Sequence, residues 1–268
     1  MKILGIGDVI GRVGRDALRA LLPGLVAERG IDVVVANGEN SAGGLGTTPE
    51  TAADLLALGV HVVTGGNHTW KHKEYAGYLE HEPRALRPFN YPAAPGRGLG
   101  LYTLPDGRRY AVINLIGRTF MAPLENPFLA VERALTELAA LGGAEVVIVD
   151  MHAEATSEKR AMCWHLDGRA SVVWGTHTHV PTADEEILPG GTACVTDLGM
   201  TGPYASVIGL EPAGSIKRFV TSRPVPYRLA ESNVQVRALF VEVDDQTGRA
   251  RAIERLVLRL PAAAPAVS

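Results

Sequence analysis

Five short apolar runs, rich in β-branched residues, each end on a side chain able to bind a metal or carry a proton. No other feature of the sequence constrains the fold as much. KILGIG (2–7) stops at Asp8, DVVVANG (32–38) at Glu39-Asn40, and VHVVTGG (60–66) at Asn67-His68. VVIVDM (146–151) stops at His152, and SVVWGT (171–176) stops at His177, with His179 two residues on. Near-continuous apolar character of this kind suits strands covered on both faces. A sixth run, YAVINLI (110–116), has the same character.

Between the strands lie stretches with helix-end signals. Thr48 is a good N-cap, with Pro49 at the first helical position and Gly59 as the stop. Asn126-Pro127 opens another helix, whose Leu135, Leu138 and Leu141 share a face before Gly142-Gly143 ends it. A first helix over about residues 11–29 contains Pro23, so a kink or break is expected there. Strands alternating with helices predict an α/β fold with a largely parallel sheet. The stretches 233–243 and 249–258 alternate apolar with polar about DDQTG (244–248). They read as a long antiparallel hairpin at the sheet's edge or in a second sheet. Residues 1–260 read as one domain and PAAAPAVS (261–268) as a frayed tail.

In a parallel sheet the carboxyl ends of the strands share one edge, where ligands bind. The five strand ends therefore bring Asp8, Glu39, Asn40, Asn67, His68, His152, His177 and His179 to one place. Carboxylates, carboxamides and imidazoles without thiolates favour iron, manganese or zinc. So many candidates suggest two divalent ions rather than one, a pairing that can clamp both oxygens of a phosphoryl transfer. Taken singly, each has a plain alternative: Asp8 a helix cap, Glu39-Asn40 a polar turn, His68 a packing residue. Asp150 either orients His152 or caps its strand. Arg118 and Lys159 either meet phosphate or form ordinary ion pairs. His61, His72, His81 and His165 have no motif around them and read as surface or core residues. Gly5-x-Gly7 begins like a dinucleotide fingerprint, but Ile10 stands where the third glycine belongs.

The order D, GEN, GNH, H, GTHTH resembles the calcineurin-like metallophosphoesterase superfamily over residues 8–179. Two departures narrow the resemblance: Ile10 replaces the usual histidine of D-x-H, and Glu39 followed by Asn40 replaces the usual aspartate of G-D. With GDVIGRVGR (7–15), NGENSAGG (37–44), TGGNHTW (64–70), HAEATSEK (152–159), GTHTHVPTAD (175–184) and TDLGMTGP (196–203), these departures resemble the bacterial YmdB-type phosphodiesterases. That resemblance implies a four-layer α/β/β/α sandwich and hydrolysis of 2′,3′-cyclic nucleotides. It implies Asp8, Glu39, Asn40 and His179 on one metal, and Glu39, Asn67, His152 and His177 on the other. His68 would then be the general acid opposite a metal-bridging hydroxide. A phosphomonoesterase, or a regulatory protein that binds nucleotide without turnover, are the competing readings.

The net charge of −3 and the lack of a basic run argue against an extended nucleic-acid footprint, while leaving a small nucleotide as substrate. Cys163 and Cys194 make no disulfide framework for 268 residues, so a reducing cytoplasm is the default expectation. No apolar run approaches a membrane span. No exposed apolar stripe marks an interface, and association into homo-oligomers stays open.

Overall fold

Strands interspersed with helices make up residues 1–260, the part of the chain this computed structural model describes. The expected tail at 261–268 lies outside the described residues. The first half comprises β1 (Lys2–Ile6), β2 (Asp8–Val9), α1 (Gly11–Arg29), β3 (Val33–Asn37), α2 (Pro49–Ala57), β4 (Val62–Thr64) and α3 (Lys73–His81). The second comprises β5 (Leu99–Thr103), β6 (Arg109–Ile116), α4 (Pro127–Ala140), β7 (Val146–His152), α5 (Thr156–His165), β8 (Val172–Thr176), β9 (Glu186–Ile187) and β10 (Ala193–Val195). The chain ends in β11 (Met200–Pro203), α6 (Pro212–Thr221), β12 (Val234–Val243) and β13 (Ala250–Arg259).

Two sheets result. In the first, β1 lies between parallel β3 and antiparallel β12, with β4 parallel beyond β3. In the second, the order is β5-β6-β7-β8-β10-β9, and β6, β7, β8 and β10 run parallel. Alternation along each strand sorts side chains between two layers. Ile3, Val33 and Val35 face Val146, Ile148, Val172 and Trp174 across the space between the sheets. Leu4, Ile6, Val34 and Ala36 turn outward under α1 and α2. Val147, Val149 and Val173 turn outward under α4 and α5. The layers are therefore helix, sheet, sheet, helix. Each fully buried aliphatic side chain contributes about 1.5–3 kcal/mol. Gly5 shows how closely the sheets approach: a Cβ there would lie 2.8 Å from the ring of Trp174.

Several local expectations need correction. Helix α1 continues through Pro23, so of the kink or break expected there the break does not occur. Proline removes its own backbone donor and crowds the carbonyl four residues back, yet Ala17, Leu18, Leu22 and Leu25 anchor both halves of the helix to the sheet. On α4 the buried face is Ala130, Val131, Ala134 and Leu138, while Leu141 is exposed. The terminal hairpin is not wholly at an edge. Strand β12 sits inside the first sheet beside β1 because both its faces are apolar, and only β13 takes the edge. Cys163 of α5 and Cys194 of β10 form a disulfide, so cysteine usage no longer argues for a reducing compartment. Among the described residues, no helix is long and apolar enough to cross a membrane. Helix α6 exposes Ile216, Phe219 and Val220, contrary to the expectation of no apolar stripe.

Candidate functional site

The strand ends meet, but from two sheets rather than along one edge. Asp8, Glu39 and Asn67 follow β1, β3 and β4 of the first sheet, whereas His152 and His177 close β7 and β8 of the second. The gap between the sheets opens at this rim and receives both sets. All eight expected residues join one hydrogen-bonded cluster. His152 Nε2 lies 3.1 Å from Glu39 Oε1, 3.0 Å from Asn67 Oδ1 and 3.1 Å from His177 Nδ1. Asn40 spans His179 Nε2 at 3.1 Å and His68 Nδ1 at 2.9 Å. Asp8 Oδ2 accepts from the His177 backbone N–H at 3.1 Å, and its Oδ1 lies 3.8 Å from His179 Nε2.

The second nitrogen of each inward-facing histidine is already committed. Thr176 Oγ1 donates to Asp150 Oδ1 at 2.7 Å and so accepts from His152 Nδ1 at 2.9 Å. His179 Nδ1 donates to the Ile208 carbonyl at 2.9 Å. His177 Nε2 meets Glu154 Oε2 at 3.1 Å. These partners fix the tautomers and leave His152 Nε2, His177 Nδ1 and His179 Nε2 turned inward, the arrangement outer residues impose on metal-binding imidazoles.

The electrostatics are those of a crowded, dry pocket. Burial pushes the Asp8 carboxyl up to about 6, against the opposing pull of His179 and His152. Burial acts on Glu39 in the same sense, yet the neighbouring His152 and His68 hold it well below the usual carboxylate range. Burial disfavours a charge on His152, but Glu39 and Asp8 outweigh it and raise the group to about 9. Burial and the His152 charge together push His177 down to about 3.

The donors present suit a metal on three counts. One atom each from Glu39, His152 and His177 lies within 4.8 Å of the others. Asp8 Oδ1 is buried with no hydrogen-bond partner among the described residues, a cost that a cation would remove. A Cβ on Gly66 would collide with Glu39 Oε2 and His152 Nε2, so the glycine keeps clear the space between them.

Against known proteins, the model of the YmdB-like protein family matches residues 4–256. The chain belongs to the YmdB-like family. It is 44% identical over 259 residues to a Bacillus subtilis (strain 168) protein named 2′,3′-cyclic-nucleotide 2′-phosphodiesterase, covering 96% of this chain and 97% of that one. A hypothetical protein from Thermus thermophilus superposes with a TM-score of 0.90 at 44% identity, covering 97% of this chain and 100% of that one. A Mycoplasma pneumoniae structure described as a novel phosphatase gives 0.90 at 32% identity, covering 97% and 93%. The four-layer sandwich expected from the sequence is the fold of this YmdB-like chain.

Other residues of this YmdB-like site escaped the sequence reading or were left open by it. Asp150 acts through Thr176 rather than on His152 directly, and it also accepts from Asn37 Nδ2 at 3.2 Å. Its position two before His152, on the same strand face, was the available signal. Lys159 does not reach outward for phosphate: it is buried, 2.6 Å from buried Asp197. Asp197 then accepts from Thr178 Oγ1 at 2.7 Å and from Gly199 N at 2.8 Å, and the Gly199 carbonyl accepts from Asp8 N at 3.1 Å. One ion pair thus braces both the His177–His179 loop and Asp8. Asn37 and Glu154 lie in the motifs NGENSAGG (37–44) and HAEATSEK (152–159), which were the available signal for them. Arg118 is exposed, and His61, His72 and His165 bond to Val34, Leu45 and Glu132 away from the cluster.

Proposed function

We propose that this chain is a metal-dependent phosphodiesterase that opens 2′,3′-cyclic nucleotides, with residues 1–260 acting as one domain. The observation that carries the reading is the convergence of Asp8, Glu39, Asn40, Asn67, His152, His177 and His179 on one pocket, inside a family with a relative named for that reaction. Asp8, Glu39, Asn40 and His179 would hold one divalent ion, and Glu39, Asn67, His152 and His177 a second, iron or manganese before zinc. Bound there, the two ions would neutralise phosphoryl charge and activate a water at neutral pH.

The chain's own groups do the rest. Asn40 Oδ1 accepts from His68 Nδ1 at 2.9 Å, which fixes the ring and points Nε2 away from the cluster. His68 is the most exposed of the clustered histidines, with 31% of its side chain accessible against 20% for His177, 11% for His179 and 0% for His152. That exposure supports a role toward substrate rather than toward metal. A water gives one proton to solvent as its oxygen bonds to phosphorus and the bond from phosphorus to O2′ breaks. His68, protonated on both nitrogens, would pass its Nε2 proton to O2′ and keep Nδ1–H on Asn40. The product is the 3′-phosphate.

Incubation of manganese-loaded protein with 2′,3′-cyclic AMP, followed by phosphorus NMR, tests the reading. The expected product is adenosine 3′-monophosphate. Release of phosphate from a simple monoester, with the cyclic diester untouched, would replace this substrate class by a phosphomonoester.

A further inference from the structure

Between β11 and β12 the chain leaves the first sheet and builds α6, a ten-residue helix with no buried side chain. Such a helix is not held by packing on a core. Its two flanks are instead zipped together beneath it: Glu211 N donates to the Arg228 carbonyl at 3.0 Å, and Ala230 N to the Gly209 carbonyl at 3.0 Å. Helix and flanks enclose a cavity of about 500 Å³ lined by Val207, Ile208, Leu210, Arg218 and Tyr227 among others. That volume falls in the range of small-molecule sites, roughly 300–1,000 Å³.

The cavity adjoins the metal-binding cluster. Ile208, one of its walls, accepts from His179 Nδ1 at 2.9 Å. Leu229, next along from the lining Arg228, covers the loops that carry the first-sheet residues. A Cβ on Gly11 or on Gly44 would lie 2.7 Å or 2.6 Å from its methyl groups. Gly11 N in turn donates to the Asn40 carbonyl at 2.8 Å. Burial raises the Tyr227 phenol, with the Glu39 charge acting in the same sense and Arg218 opposing it.

We infer that this cavity is the nucleobase subsite, in which the base of a nucleotide whose phosphate lies at Glu39, His152 and His179 stacks on Tyr227 beside Arg218. The inference rests on the phosphodiester reading above and extends it to the rest of the substrate. A flat heteroaromatic ring suits walls that are largely apolar, along which lie the rings of Tyr227 and Phe219 and the guanidiniums of Arg218 and Arg228. Among the described residues, neither Asn nor Gln lines the cavity, so no side-chain amide is there to read a base edge with a paired donor and acceptor. Stacking tolerates every base because each has a π-face. Stacking therefore admits both purines and pyrimidines, while Glu211 and Ser215 on the wall can hydrogen-bond a base edge, and helix α6 supplies one side of the subsite.

Calorimetric titration of the metal-loaded protein with adenosine 3′-monophosphate and, separately, with inorganic phosphate tests this without relying on turnover. Tyr227 is 49% exposed, so Tyr227→Ala leaves the core untouched. The expected result is about tenfold weaker nucleotide binding in Tyr227→Ala, with phosphate binding unchanged and Tyr227→Phe restoring affinity. Equal weakening of both ligands, or no weakening of either, overturns the subsite. A changed sedimentation coefficient with unchanged nucleotide affinity also overturns it, making the face a contact between copies. The expected binding pattern in a protein that leaves cyclic nucleotides intact would retain the subsite and remove the proposed reaction.

Discussion

His152 Nδ1 and Thr176 Oγ1 lie 2.9 Å apart, and that one hydrogen bond decides which nitrogen of His152 faces the site. The threonine hydroxyl has a single proton and gives it to Asp150, so the imidazole must donate through Nδ1. Thr176→Val keeps the shape and deletes the acceptor. The expected effect is a loss of about 10–100-fold in metal affinity, measured by competition with a chelator, at unchanged fold. Unchanged affinity would mean that Thr176 only fills space.

Gly66 gives a sharper steric test. Any side chain there collides with Glu39 Oε2 and His152 Nε2. Gly66→Ala is expected to fold and to lose bound metal and activity together. Circular dichroism and metal analysis on the same sample check this, and a variant that retains full metal content would contradict the crowding argument.

Metal binding should depend on pH through His152. Its folded pKa is raised to about 9, so below that pH the metal-free protein carries a proton that must leave before Nε2 can bind an ion. His177, pushed down to about 3, holds no such proton at neutral pH. Affinity is therefore full above about 9 and falls as pH drops, by about tenfold per unit near neutrality. The same sign governs the metal-free fold. The stability His152 gains from Glu39 is present below its unfolded value and is lost as pH rises through about 9. A flat affinity across titrations from about pH 6.5 to about 8.5 would contradict this.

The Lys159–Asp197 pair is buried at both ends. Lys159→Met leaves a carboxylate without its counter-charge and should cost about 3–5 kcal/mol in urea unfolding. Paired removal in Lys159→Met with Asp197→Asn is expected to recover part of that loss. Equal destabilisation by the single and double variants would show that the pair does not act as a unit.

The strand ends were legible because two signals coincided: β-branched runs mark buried strands, and a polar residue closing such a run has few reasons to be there. The layers followed from the family resemblance and not from periodicity, which gives strand burial but not which sheet a strand joins. Hence periodicity leaves the terminal hairpin at an edge or in a second sheet, although the apolar residues on both faces of β12, Val241 and Phe240 for instance, are those of an interior strand. Pro23 misled because a proline's local penalty is outweighed by the packing of Leu18, Leu22 and Leu25 around it. Thr176, Asn37 and Lys159 were unreadable as support residues, since their partners lie 26, 113 and 38 positions away and are set only by the tertiary fold. Helix α6 did carry signals, Pro212 in its first turn and Ile216, Phe219 and Val220 at helical spacing, but its apolar face meets no core.

The most direct test of the metal-centred account is Glu39→Gln, which preserves volume and removes the one charge shared by both proposed ions. Hydrolysis of 2′,3′-cyclic AMP and metal content are measured on this variant and on the parent. The expected result is robust turnover with two metal equivalents in the parent, and loss of turnover with reduced metal content in the variant. Full turnover by Glu39→Gln would contradict the account.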